Sequence, residues 1–182
     1  MTTDPDFRFD GGATWLNLLA TQGQSFGTRP VERIGTPEAG RRWLGLVGFG
    51  VGDELSSDDL DRLVRLREAL RELAMAAVAG REPASVALAQ VRGHASGSAG
   101  ALWSGPAQAG VTLDAALAAI AVQALVMLQG PDRELLRQCA EVDCRWVFLD
   151  TSGRRHWCPS PACASRGRVR AHRARQAAPS VD

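Results

Sequence analysis

Cys139-Ala140-Glu141-Val142-Asp143-Cys144 and Cys158-Pro159-Ser160-Pro161-Ala162-Cys163 hold every cysteine of this 182-residue chain, in the spacing C-x4-C-x13-C-x4-C. Two close thiol pairs are what a tetrahedral Zn²⁺ takes, and four sulfur ligands leave no open position for a substrate. The pattern predicts one closed, structural zinc site made by Cys139, Cys144, Cys158 and Cys163. Two disulfides, an iron–sulfur cluster and four unrelated thiols are the alternatives. A reducing compartment disfavours the first, and the spacing is not a ferredoxin pattern. His156 and His172 are weaker ligand candidates beside four cysteines. His94, in a Gly/Ser-rich stretch, has no visible partner.

Between the pairs, residues 145–149 (Arg-Trp-Val-Phe-Leu) favour a strand. Asp150-Thr151-Ser152-Gly153 is turn chemistry, and residues 154–157 then return as the second strand of a hairpin. Ser160 suits a helix N-cap and Pro161 the first helical position, so Cys163 falls in the first turn of a helix. Knuckle, hairpin and helix make a treble-clef-like module. Its few large apolar residues do not offset backbone ordering at about 1–2 kcal/mol per residue, so the metal-free module is expected to be disordered.

Charge follows the same division. Residues 1–138 carry 13 Arg against 16 Asp plus Glu, whereas residues 145–176 carry 8 Arg against Asp150 alone. The chain has no Lys. Such asymmetry marks a segment built for an anionic partner. On a helix after Cys163, Arg166, Arg170 and Arg173 share one stripe, with Arg168 and Arg175 opposite. Candidate nucleic-acid contacts are Arg154, Arg155, Arg166, Arg168, Arg170, His172, Arg173 and Arg175. The competing role is structural: Zn(Cys)₄ is formally dianionic, and Arg145, Arg154, Arg155 or Arg166 can neutralise it.

Upstream, residues 56–79 read as a helix, with Ser56 and Asp59 as a cap and Leu60, Leu63, Leu66, Leu70, Leu73 and Ala77 as its apolar stripe. Gly80 is its stop. A shorter helix is expected over 84–91, a loop over 93–110 with a short strand near 101–103, and a helix over 112–129 ended by Gly130-Pro131. Residues 132–138 are read as a short helix running into Cys139. Residues 16–19 suit a helix or a buried strand, and 27–37 a loop. The expected fold is mainly α: a helical domain over 1–138, with short strands allowed, and a zinc finger over 139–182.

The residues Leu136-Arg137-Gln138-Cys139, Cys144-Arg145-Trp146-Val147-Phe148-Leu149-Asp150-Thr151-Ser152, Trp157-Cys158, Cys163, Arg166 and Arg168-Val169-Arg170 together resemble the CGNR zinc finger. That finger usually closes a bacterial protein whose helical N-terminal part is the ABATE domain. The resemblance implies a stress-linked transcription regulator with zinc in the finger and DNA as its target. Two positions depart from the family pattern. The naming tetrapeptide reads Cys163-Ala164-Ser165-Arg166, and the family's LDxxNT-like stretch has Asn17 and Ala20 in place of Asp and Asn.

The leading expectation is a DNA-binding regulator, with double-stranded DNA as partner and a homodimer or an unknown small-molecule or protein signal at the helical domain. An RNA-binding module using Trp146, Phe148 or Trp157, and a zinc-stabilised protein-interaction module, are the other classes. No enzyme is expected: HxE, HExxH and GxxxxGK[ST] motifs are absent. The opening residues lack the apolar core of a secretory signal, and residues 115–128 are too short to span a bilayer, so a cytoplasmic protein without membrane contact is expected.

Overall fold

The computed structural model describes residues 6–52, 54–97 and 110–177. Among them the chain is mainly helical: α1 (Thr14–Leu19), α2 (Pro37–Leu46), α3 (Ser57–Val78), α4 (Ser85–Ser96), α5 (Leu113–Gln129) and α6 (Pro161–Ala177). Two small antiparallel sheets complete it, β1 (Gln22–Gly23) with β2 (Val31–Glu32) and β3 (Leu136–Gln138) with β4 (Val147–Leu149). No helix is long and apolar enough to cross a membrane among the described residues.

Helix α3 forms as its sequence dictates. The Ser56 side chain accepts from Asp59 N while Asp59 bonds back to the Ser56 backbone, a complete capping box. Gly80 ends the helix at φ 64°, in the left-handed region that favours glycine. Leu63, Leu66, Leu70 and Leu73 are all buried against α1, α4 and α5. Helix α5 is capped by the Thr112 hydroxyl, which accepts from Ala115 N. Its one interior polar residue, Gln123, is not a defect: Gln123 Oε1 accepts the Trp15 N–H at 3.1 Å and satisfies an orphan donor at the start of α1.

Four expectations are corrected. Residues 16–19 lie in helix α1, resolving that ambiguity, and α4 runs on to Ser96, well beyond residue 91. The expected 27–37 loop contains β2. Residues 131–138 are not one helix: a 3-10 turn, Pro131–Leu135, gives way to strand β3, which leads into Cys139. Most consequentially, β4 pairs with β3, Leu136 opposite Leu149, and not with residues 154–157. The strand proposed near 101–103 lies outside the described residues.

Asp150 explains why the return strand does not form. Its carboxylate accepts from Ser152 N (3.0 Å), Ser152 Oγ (2.6 Å) and Arg155 N (2.8 Å), curling 150–155 into a loop. These donors hold the Asp150 carboxyl down to about 2, the Ser152 hydroxyl foremost. The finger and the helices share one core. Trp146, Val147 and Phe148 are buried in the same apolar cluster as α1 and α3, and Trp146 Nε1 donates to the Leu16 carbonyl at 2.9 Å.

Candidate metal centre

Four buried cysteines meet where the β3–β4 hairpin and the start of α6 come together. Three of them get there by a specific backbone device. Cys139 follows β3, and its N–H donates to the Trp146 carbonyl at 2.9 Å. Cys144 closes a tight knuckle in which the N–H groups of Cys144 and Arg145 both donate to the Glu141 carbonyl, at 2.9 and 3.0 Å. Arg145 completes the turn at φ 45°, so the strand starts after it, not at it. Cys163 sits in the first turn of α6, its N–H donating to the Ser160 carbonyl at 3.2 Å. Ser160 and Pro161 therefore start the helix as their residue types predict.

All four Sγ atoms lie within 4.8 Å of one another. A regular ZnS₄ tetrahedron with Zn–S near 2.3 Å has S···S edges of about 3.8 Å, so the cluster needs only slight contraction around an ion. Crowding also couples the thiols. Hydrogen bonds from the Cys144 thiol lower Cys139 to about 7. Bonds from Cys139, Cys144 and Cys163 hold Cys158 far below the ordinary thiol range, while Cys144 and Cys163, as donors, are pushed up. A dication bound there would convert the four thiols to thiolates together. The donor set and its burial suit one structural Zn²⁺ with no water position.

Two arginines face the sulfurs. Arg166 Nη2 donates to Cys163 Sγ at 3.4 Å, as its neutralising role predicts. The other was not legible beforehand: Arg8 Nη1 donates to Cys158 Sγ at 3.5 Å, its remaining nitrogens bind Asp10, and its guanidinium lies 4.4 Å over the Trp146 ring. A contact 150 residues apart in sequence leaves no local signal.

Residues 12–131 match the family model described as "Putative stress-induced transcription regulator" (ABATE), and residues 135–176 match the CGNR zinc finger. The chain belongs to the ABATE family. No curated protein matches it. Of the two positions in the LDxxNT-like stretch that depart from the family pattern, Asn17 keeps a structural bond and nothing in the structure explains Ala20. Asn17 Oδ1 accepts from Gly11 N at 2.9 Å, a bond an Asp oxygen would also make. Thr21, which keeps the threonine of the LDxxNT-like pattern, accepts from Arg67 Nη1 at 3.0 Å.

The candidate nucleic-acid residues divide into two groups. Arg166 and Arg170 face the knuckle: Arg170 lies 3.0 Å from the buried Glu141 carboxylate and also pairs with Asp143, while Arg166 Nε lies 3.8 Å from Glu141. Arg154, Arg155, Arg168, His172, Arg173 and Arg175 are exposed, and among the described residues none of these arginines pairs with a carboxylate. Arg168 also lies 5.9 Å over the Trp157 ring. Glu141 carried no sequence signal; an acid inside a cysteine knuckle reads as surface until the basic helix is folded over it.

Proposed function

We propose that the protein is a zinc-containing transcription regulator whose finger, residues 139–182, binds double-stranded DNA. Zn²⁺ held by Cys139, Cys144, Cys158 and Cys163 is structural in this reading. The carrying observation is the five exposed arginines without carboxylate partners, Arg154 and Arg155 on the finger loop and Arg168, Arg173 and Arg175 on α6. Unpaired guanidinium groups there are available to phosphates. The family to which the chain belongs supports a regulator over an enzyme, and the closed donor set offers no catalytic metal position. A cytoplasmic site of action fits thiols that must stay reduced. Trp146 and Phe148 are buried, which removes two of the three aromatic residues a base-stacking RNA module would use. Residues 1–138 are the part that receives a signal or dimerises.

Salt dependence of duplex binding tests this directly. If all five arginines meet phosphates, log K should fall against log salt with a slope of about −4.5. Replacing Arg154 and Arg155 by Ala should flatten the slope by about 2. Arg170→Ala should weaken the fold first, since Arg170 is engaged with Glu141. Absence of salt-dependent duplex binding by the zinc-loaded protein would refute the assignment.

A further inference from the structure

A cleft of about 150 Å³ opens between the N-terminal part and the finger, next to the cysteine cluster. Arg8, Arg33 and Arg166 line it from three separate segments of chain, together with Gly23, Trp146 and the metal-centre residues Cys144 and Cys163; no carboxylate lines it, and the three cations outnumber the formal dianion of a zinc-loaded centre. Two of these cations already have partners. Arg8 answers Asp10 and the Cys158 sulfur; Arg166 answers the Cys163 sulfur and stands near Glu141. Arg33 does not. Its side chain makes one hydrogen bond, to the Ala20 carbonyl at 3.3 Å, and among the described residues it has no ion pair. Burial, and after it the charge of Arg8, disfavour its cation, and the charges of Glu32, Asp6 and Cys144 offset this only in part. A guanidinium cannot shed its proton, so the charge stays. Arg166 Nε adds a buried N–H with no hydrogen-bond partner. The start of α6 lines the same cleft through Ser160 and Ala162, adding the positive end of a 17-residue helix.

We propose that this cleft binds one small oxyanion of the phosphate class, with Arg33 as its principal contact. The volume suits it, since a cavity of about 150 Å³ takes a molecule of benzene size. The site is independent of the DNA reading and stands if the finger binds something else. The anion has two sources, a free phosphate-type ion or a backbone phosphate of a bound duplex.

The test titrates the zinc-loaded full chain with inorganic phosphate, by calorimetry and through the arginine Nε–Hε NMR signals. One saturable site is expected, and Arg33→Gln should weaken it ~10-fold or more, the loss of a charge-assisted bond, with zinc content unchanged. A second variant does not depend on removing the arginine. A Cβ at Gly23 would stand 2.5 Å from Arg33 Nη1, so Gly23→Ala should displace the guanidinium and weaken phosphate similarly. Adding a mixed-sequence duplex separates the sources: competition with phosphate assigns the site to the DNA backbone, and unchanged phosphate binding assigns it to a free ion. Failure of phosphate to saturate, or full affinity in Arg33→Gln, overturns the proposal. Should Arg33→Gln lose its zinc, full affinity in Gly23→Ala overturns it instead.

Discussion

Arg67 lies in the middle of the leucine stripe of α3 and is only 1% exposed. A buried charge is tolerated when its donors are satisfied, and here they are. Nη1 and Nη2 grip the two Glu32 oxygens at 2.8 and 2.7 Å, Nη1 also reaches Thr21 Oγ1, and Nε bonds Glu68 at 3.0 Å. The pair ties strand β2 to α3. Burial would raise the Glu32 carboxyl, but the hydrogen bonds and charge of Arg67 outweigh it and hold the group below its ordinary value. A carboxyl depressed in the folded state stabilises above its unfolded pKa of about 4.3, and that contribution fades as pH falls below it. Glu32→Gln should therefore cost about 2 kcal/mol at pH 7, less than the roughly 3–5 of a fully buried pair because Glu32 keeps 34% exposure. Urea unfolding of both proteins at several pH values checks it: the gap should narrow on acidification. A gap that holds constant down to pH 3.5 would mean the carboxylate charge is irrelevant.

Helix α6 shows how an element is fixed by one residue. Gly167 sits in its interior, where glycine costs about 1 kcal/mol relative to alanine. The indole of Trp157 crosses that point, and a Cβ on Gly167 would stand 2.3 Å from Trp157 Nε1 and 2.7 Å from Cε2. Gly167→Ala should thus lower the unfolding temperature and shift tryptophan fluorescence, despite the better helix propensity. Gly93, in α4, has nothing within 4 Å of its virtual Cβ, so Gly93→Ala should raise stability by about 1 kcal/mol. Thermal unfolding of both variants gives opposite signs if packing, not propensity, sets the fate of Gly167. The elements most legible in the sequence were those with local causes: the Ser56 cap, the α3 stripe, the Gly130-Pro131 stop of α5, the Ser160-Pro161 start of α6, and the cysteine spacing. What escaped was decided at a distance. Strand β3 exists because β4 comes back beside it, and the residues 154–157 stay out of the sheet because Asp150 gathers three donors. The Arg8–Cys158 and Arg170–Glu141 contacts likewise join segments with no shared periodicity.

At the scale of the molecule, the metal centre and the helical core are one packed body, and this governs what metal removal does. Leu149 N donates to the Gly11 carbonyl, Trp146 Nε1 to Leu16, and Phe148 is fully buried beside α1 and α3. Structural zinc contributes roughly 10–16 kcal/mol in small fingers. A domain of this size is stable by only about 5–15 kcal/mol in total. Losing zinc should therefore not unfold a detachable appendage while sparing the rest. Without the ion, the knuckle loses its anchor, and Trp146 and Phe148 withdraw from α1. Helices α3, α4 and α5 pack on one another and keep contacts that do not involve the finger. Hydrogen exchange before and after chelation should show protection lost over residues 14–23 and 136–177 together, with α3 to α5 retaining the most. The capping-box turn at Ser56 should change least, because its bonds run between Ser56 and Asp59 of the same turn. Protection lost only beyond residue 138, with α1 unchanged, would show that the shared core does not couple the two parts.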